Sequence, residues 1–245
     1  MTEYVNGIVV GVVASLIASL LITVIGVCAR ERHRLHMMIR TKTEQRKEVR
    51  VSAAYLFRIK LGEEYLMIRG GNIQGQYQPV GGVYKRYASS RAELEKLHVT
   101  SDNSVGSRET DGDDLRVVLP MRNLLKFLDW FDKGKGREIQ VCRELFEELV
   151  EPGYLNMDHP WSAEIEYLTS AKRALHYSIH SKMDELLVHD AFELHLSEDE
   201  QVYLRTKIAD SDGVLVLVSP EAIEVQHFLL NGKSYNIAPT AKLVL

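Results

Sequence analysis

Two cysteines among 245 residues, Cys28 and Cys142, exclude a disulfide framework. Six prolines and sixteen glycines exclude a collagen-like or proline-rich low-complexity chain. Positive charge is not in surplus: the net charge is −4 and the pI is near 6.2, so no global basic surface points to DNA or RNA. No Walker A loop, zinc-type Cys/His spacing, G-x-S-x-G elbow or internal repeat is found. With 45% hydrophobic and 26% charged residues the chain is globular rather than disordered, and its length allows one or two domains.

Charge is missing altogether from Tyr4 to Ala29. Gly7 to Cys28 holds thirteen Ile, Val or Leu in 22 residues. As a helix it measures roughly 33 Å, enough for a hydrocarbon core of about 30 Å. Residues 5–29 therefore read as a transmembrane helix. A cleaved signal peptide fits less well, because no Lys or Arg precedes the run and Gly26-Val27-Cys28 is not an A-x-A site. Residues 30–50 carry eight Lys or Arg against three Glu, a net of +5, with only Glu3 on the other side. The positive-inside rule then predicts a single-pass inner-membrane protein, N-terminus outside and everything after residue 30 cytoplasmic. The basic collar suits the anionic headgroups of a lipid bilayer. Gly7, Gly11, Ser15 and Ser19 recur every fourth residue, a small-residue face that suits a homo-oligomer through the span, with a plain anchor as the equal alternative.

Residues 30–48 read as a basic linker or helical extension, and 49–245 as one α+β domain. Val49 to Lys60 has strand composition, Leu61 to Glu64 is a turn, and Tyr65 to Arg69 is the expected partner strand. A short helix is predicted near Ser90 to Leu97, an exposed loop over Asp102 to Asp114, a strand over Leu115 to Leu119 and a helix over Met121 to Phe131. Further strands include Phe192 to Leu196 and Val214 to Val218. Ser219-Pro220 is a helix start, with Ser as N-cap and Pro at the first helical position.

The segment that can carry chemistry is Arg137 to Glu151, predicted as one helix with Ile139, Cys142, Leu145, Phe146 and Leu149 on its apolar stripe. Glu144, Glu147, Glu148 and Glu151 fall at i, i+3, i+4 and i+7 on another face. Like charges at these spacings repel. A hard divalent cation, Mg²⁺ or Mn²⁺, would turn the repulsion into ligation and also suit phosphate oxygens. On spacing alone, a solvated helix face is the commoner origin of such a pattern.

Arg143-Glu144-Leu145-Phe146-Glu147-Glu148 resembles the R-E-U-x-E-E heart of the Nudix box, where U is apolar. Tyr77-Gln78-Pro79-Val80-Gly81-Gly82 is similar to the strand and double glycine that lead into that box. The resemblance implies a Nudix-like mixed sheet flanked by helices. It implies Glu144, Glu147 and Glu148 as metal ligands, catalytic only if the domain is active, and Gly81, Gly82 and Arg143 as nucleotide contacts. The chain departs from the pattern in four places. About fifty residues, near 84–136, separate the glycines from Arg143; Lys135 stands where the box has its first Glu; Val80 replaces a Pro; and Val150 replaces the late Gly. Glu198, Asp199 and Glu200 are candidates for an additional acidic group. With the span and basic collar, the chain resembles the SMODS-associated Nudix proteins, membrane effectors of cyclic-oligonucleotide antiphage signalling (CBASS). That resemblance implies a cyclic oligonucleotide as ligand and a span that oligomerises and disrupts the membrane in abortive infection. The alternative is a membrane-tethered, Mg²⁺-dependent Nudix hydrolase of nucleoside diphosphate derivatives.

Overall fold

The computed structural model describes residues 32–71, 73–102, 113–156, 164–172, 175–179 and 181–245. The expected span over 5–29 lies outside the described residues, as do His180 and Trp161. Among the described residues, no helix is long and apolar enough to cross a membrane.

Strand β1 (Glu48–Arg58) is the axis of the domain. Its alternating residues Val49, Val51, Ala53, Tyr55 and Phe57 are buried in the larger of two apolar cores, whereas Leu56 belongs to the smaller one. One edge of β1 pairs in parallel with β10 (Met183–His195) over ten residues. The other edge is shared. Its first half pairs with β7 (Arg116–Pro120) and its second half with β5 (Gly81–Val83), both antiparallel. With β6 (Thr100–Ser101), β8 (Glu164–Lys172) and β9 (His176–Ser178) these strands make a seven-stranded mixed sheet.

The hairpin expected between Val49–Lys60 and Tyr65–Arg69 forms only at its tip. β1 ends at Arg58, and the chain passes into a second sheet, where β2 (Lys60–Leu61) pairs with β3 (Glu64–Arg69). Both edges of β1 are already hydrogen-bonded elsewhere, so β3 cannot lie beside it. It pairs instead with β11 (Leu215–Val218) and β4 (Gln76–Gln78). The second sheet is completed by β13 (Lys233–Ile237) and β12 (His227–Leu230). The α+β class and mixed sheet accord with the sequence.

The basic linker forms helix α1 (Arg32–Thr43), which docks on the domain rather than standing free. Met37 and Thr41 are buried, and Arg40 pairs with Asp184 at 2.7 Å. Helix α2 (Arg91–Lys96) follows a 3₁₀ turn at Ala88–Ser90. Helix α3 (Leu124–Lys133) buries Leu124, Phe127, Leu128, Trp130 and Phe131, and Gly134 ends it in the left-handed conformation at φ 68°. Asp102 and Asp114, expected at the ends of an exposed loop, are buried because Arg50 binds the first at 2.5 Å and Arg116 the second at 3.5 Å. Helix α5 (Glu198–Asp210) starts with a Ser197/Glu200 capping box. Helix α6 (Pro220–Val225) starts as expected, with the Ser219 hydroxyl accepting from the Ala222 N–H at 3.3 Å.

Candidate functional site

The acidic segment does not form one helix from Arg137. The Glu138 N–H donates to the Lys85 carbonyl at 2.7 Å, and Arg86 bridges to Arg137 as a strand partner. Residues 137–138 therefore pair with Lys85 and Arg86, just beyond β5, instead of opening the helix. Only Cys142–Leu145 is α-helical (α4), followed by a π-helical turn at Phe146–Val150 whose Glu151 N–H reaches back to the Phe146 carbonyl at 2.8 Å. Leu145 and Leu149 are fully buried as the stripe required, but Ile139 is 66% exposed and Phe146 41%. Ile139 precedes the helix, and the wider π turn rotates the register after Leu145.

The same pairing brings the two ends of the insertion together. The Tyr87 N–H donates to the Gly136 carbonyl at 2.8 Å, so the fifty residues 87–136 leave and return at adjacent points. The two ends are pinned by Arg137, which is buried over the Phe131 and Tyr84 rings at 3.9 and 4.8 Å. Its Nε donates to the Phe131 carbonyl at 2.8 Å, and burial lowers its pKa from the ordinary arginine value. In space, Gly81 and Gly82 lie directly against the acidic helix.

That contact explains the double glycine. A Cβ on Gly82 would overlap the Glu144 carboxylate, and one on Gly81, at φ 150°, would overlap the Tyr55 carbonyl. The Gly81 N–H donates to Glu148 Oε2 at 3.1 Å. Burial pushes the Glu148 carboxyl up to about 7, with the charges of Glu144 and Glu147 adding to the shift. Burial also raises Glu144, against the pull of Arg143. The Glu144 N–H approaches the hydroxyl oxygen of buried Tyr55 at 3.4 Å.

Arg143 is the hub of the site. Nε meets Glu138 at 3.1 Å, Nη1 meets Glu144 at 2.5 Å and Glu147 at 3.4 Å, and Nη2 donates to the Val83 carbonyl at 2.9 Å. Burial alone would lower its pKa, but the bonds and charge of Glu138 hold it above the ordinary value. Glu138 is the residue that the sequence reading missed. It is buried, and its carboxylate also accepts from the Lys85 N–H at 3.1 Å. It thus sits beside Arg143 where the box pattern had pointed to position 135, three residues too early. Its only sequence signal was an acid next to Arg137 at the mouth of the helix.

The carboxylates expected on one face divide. Glu144 and Glu148 turn toward the glycines, whereas Glu147 and Glu151 are exposed. Among the described residues the one grouping with three possible metal-ligand atoms within 4.8 Å is Glu166, Glu193 and His195, not the helix glutamates. The helix set still fits a hard cation by donor type, and a cation would offset the burial, and secondarily the mutual repulsion, that raises the Glu144 and Glu148 carboxyls. Glu144, Glu147 and Glu148 would hold it, and it would supply charge to neutralise phosphate oxygens. Arg143 provides that countercharge in this structure. Of the other acidic candidates, Glu198 and Asp199 are exposed, and Glu200 accepts from the Ser197 N–H at 2.8 Å as a helix cap. Cys142 is half-buried, with its thiol pushed up by burial.

A family model described as SMODS-associated NUDIX domain matches residues 48–245. No curated protein matches the chain. Among solved structures, the solution structure of the E. coli ORF135 protein is similar at 16% identity, covering 80% of this chain and 85% of that one, with a TM-score of 0.30.

Proposed function

As the chain belongs to the SMODS-associated NUDIX domain family, we propose that it is a membrane effector of cyclic-oligonucleotide antiphage signalling. The cytoplasmic domain binds a cyclic oligonucleotide, and the span over 5–29 assembles and disrupts the inner membrane. The observation that carries the sensing half is the state of the box. The glycine pair packs on Glu144 and Glu148, while Arg143 is held by three carboxylates. Such a site keeps the backbone cradle and metal-type ligands of a nucleotide-binding loop. Its arginine is engaged inward rather than toward a reacting phosphate. Binding tolerates that arrangement better than turnover, which needs water, base and metal placed within a fraction of an ångström.

Turnover has one observation in its favour. A carboxyl raised to about 7, as Glu148 is, suits a general base at neutral pH. Titrating the full chain in detergent with cyclic di- and trinucleotides, with and without Mg²⁺, separates the two readings. The sensing reading expects saturable binding with the nucleotide recovered intact. Cleavage of nucleoside diphosphate derivatives at about 1 s⁻¹ or faster, without cyclic-nucleotide binding, would establish the hydrolase instead.

A further inference from the structure

The insertion encloses a cavity of about 570 Å³ beside the box. Arg86, Tyr87, Arg91, Glu95, Ser101 and Asp113 supply its chemistry. The volume lies within the range of small-molecule sites. The Arg86 guanidinium is positioned by Nη2 donating to Ser101 Oγ at 2.7 Å. Arg91 is exposed and makes no ion pair among the described residues. A guanidinium fork matches phosphate geometry, and two of them on one cavity match a phosphodiester better than a neutral ligand. Tyr87 is 52% exposed, which leaves ring surface available for base stacking. Two carboxylates, Glu95 and Asp113, balance the arginines in charge. As carboxylates they are hydrogen-bond acceptors. They favour a base whose edge donates, and guanine presents two adjacent donors, N1–H and the 2-amino group. Placement also favours this cavity. Arg86, which lines the cavity, follows Gly82 by four residues, at most roughly 13 Å of extended chain, so the cavity lies within reach of the box.

We propose that this cavity extends the nucleotide site that begins at the box: it holds a guanine-containing cyclic oligonucleotide, with phosphate on Arg86 and Arg91, a base on Tyr87, and the guanine edge on the carboxylates. The proposal rests on the reading of the chain as a cyclic-nucleotide sensor and gives that reading a location and a base. The test is titration of the full chain in detergent, in EDTA so that no metal at the box contributes. The probes are cyclic di-GMP, cyclic di-UMP, cyclic di-AMP and cyclic tri-AMP. Wild type should bind cyclic di-GMP at least tenfold more tightly than cyclic di-UMP. Arg91→Glu and Tyr87→Ala, both at exposed side chains, should each weaken cyclic di-GMP at least tenfold, while Tyr177→Ala, exposed on β9, stays within twofold. Unchanged affinity in both Arg91→Glu and Tyr87→Ala overturns the proposal. Binding confined to the adenine rings overturns it too and leaves the sensor reading standing. Wild-type protein that binds none of the four rings removes both.

Discussion

At the scale of single residues, Glu148 is the group most out of its ordinary state. Its folded carboxyl holds a proton up to about pH 7, whereas an unfolded glutamate releases it near 4.5. The folded protein therefore binds more protons than the unfolded chain between those values, and the group's contribution to stability falls as pH rises through that window. Without divalent metal, Glu148→Gln should stabilise the protein by about 1–3 kcal/mol at pH 8 and by nothing measurable at pH 4.5. Denaturant melts at the two pH values check this, and an equal effect at both would show that Glu148 titrates normally. Gly82 makes the complementary prediction. Since a methyl there overlaps the Glu144 carboxylate, Gly82→Ala should cost about 2 kcal/mol or more and should be partly rescued by Glu144→Ala in a double-mutant cycle. Additive costs would mean the two positions do not touch.

At the scale of elements, the informative joint is the one between helix α1 and the body. Arg40 is bonded to both Asp184 on β10 and Glu44, and Met37 lies buried against the domain. The expected span ends just before α1, so on the proposed reading this helix would join the span to the domain. Arg40→Ala leaves the half-buried Asp184 without its guanidinium and should loosen α1 by about 1–2 kcal/mol. Hydrogen exchange should then accelerate in residues 33–43 while the β1 and β10 amides keep their protection. Uniform acceleration would mean that α1 is part of the global folding unit. The insertion contributes to this joint as well. Met121, at the turn before α3, is fully buried and its N–H donates to the Lys47 carbonyl at 2.8 Å. Asn123 ties that turn to the end of α2 through the Leu97 carbonyl at 2.8 Å. One inserted unit thus touches the cavity, the box and the linker helix.

At the scale of the whole molecule, what was legible in the sequence was whatever local pattern encodes. The strand composition of β1, the apolar spacing of α3 and the Ser219-Pro220 helix start lie where their residues pointed, whereas the R-E-U-x-E-E core is α-helical only to Leu145 and continues as a π turn. Long-range pairing was not legible. β10 joins β1 from about 135 residues away, as Val49 beside Asp184 shows, and that pairing is what sends β3 into the other sheet. The helix start at Cys142 rather than Arg137 is a tertiary effect of the same kind, since Lys85 and Arg86 hold residues 137–138 by an isolated bridge and a backbone hydrogen bond. Glu138 escaped notice because its partnership with Arg143 depends on that pairing. The central claim joins a nucleotide-binding domain to a membrane event, so the most direct measurement puts both in one vessel. Full-length chain is reconstituted into dye-loaded vesicles with the domain outward, and cyclic di- and trinucleotides are added. The account predicts dye release that saturates with a cyclic nucleotide and is abolished by Gly11→Ile on the small-residue face of the span. Vesicles that stay sealed at saturating cyclic nucleotide would contradict it.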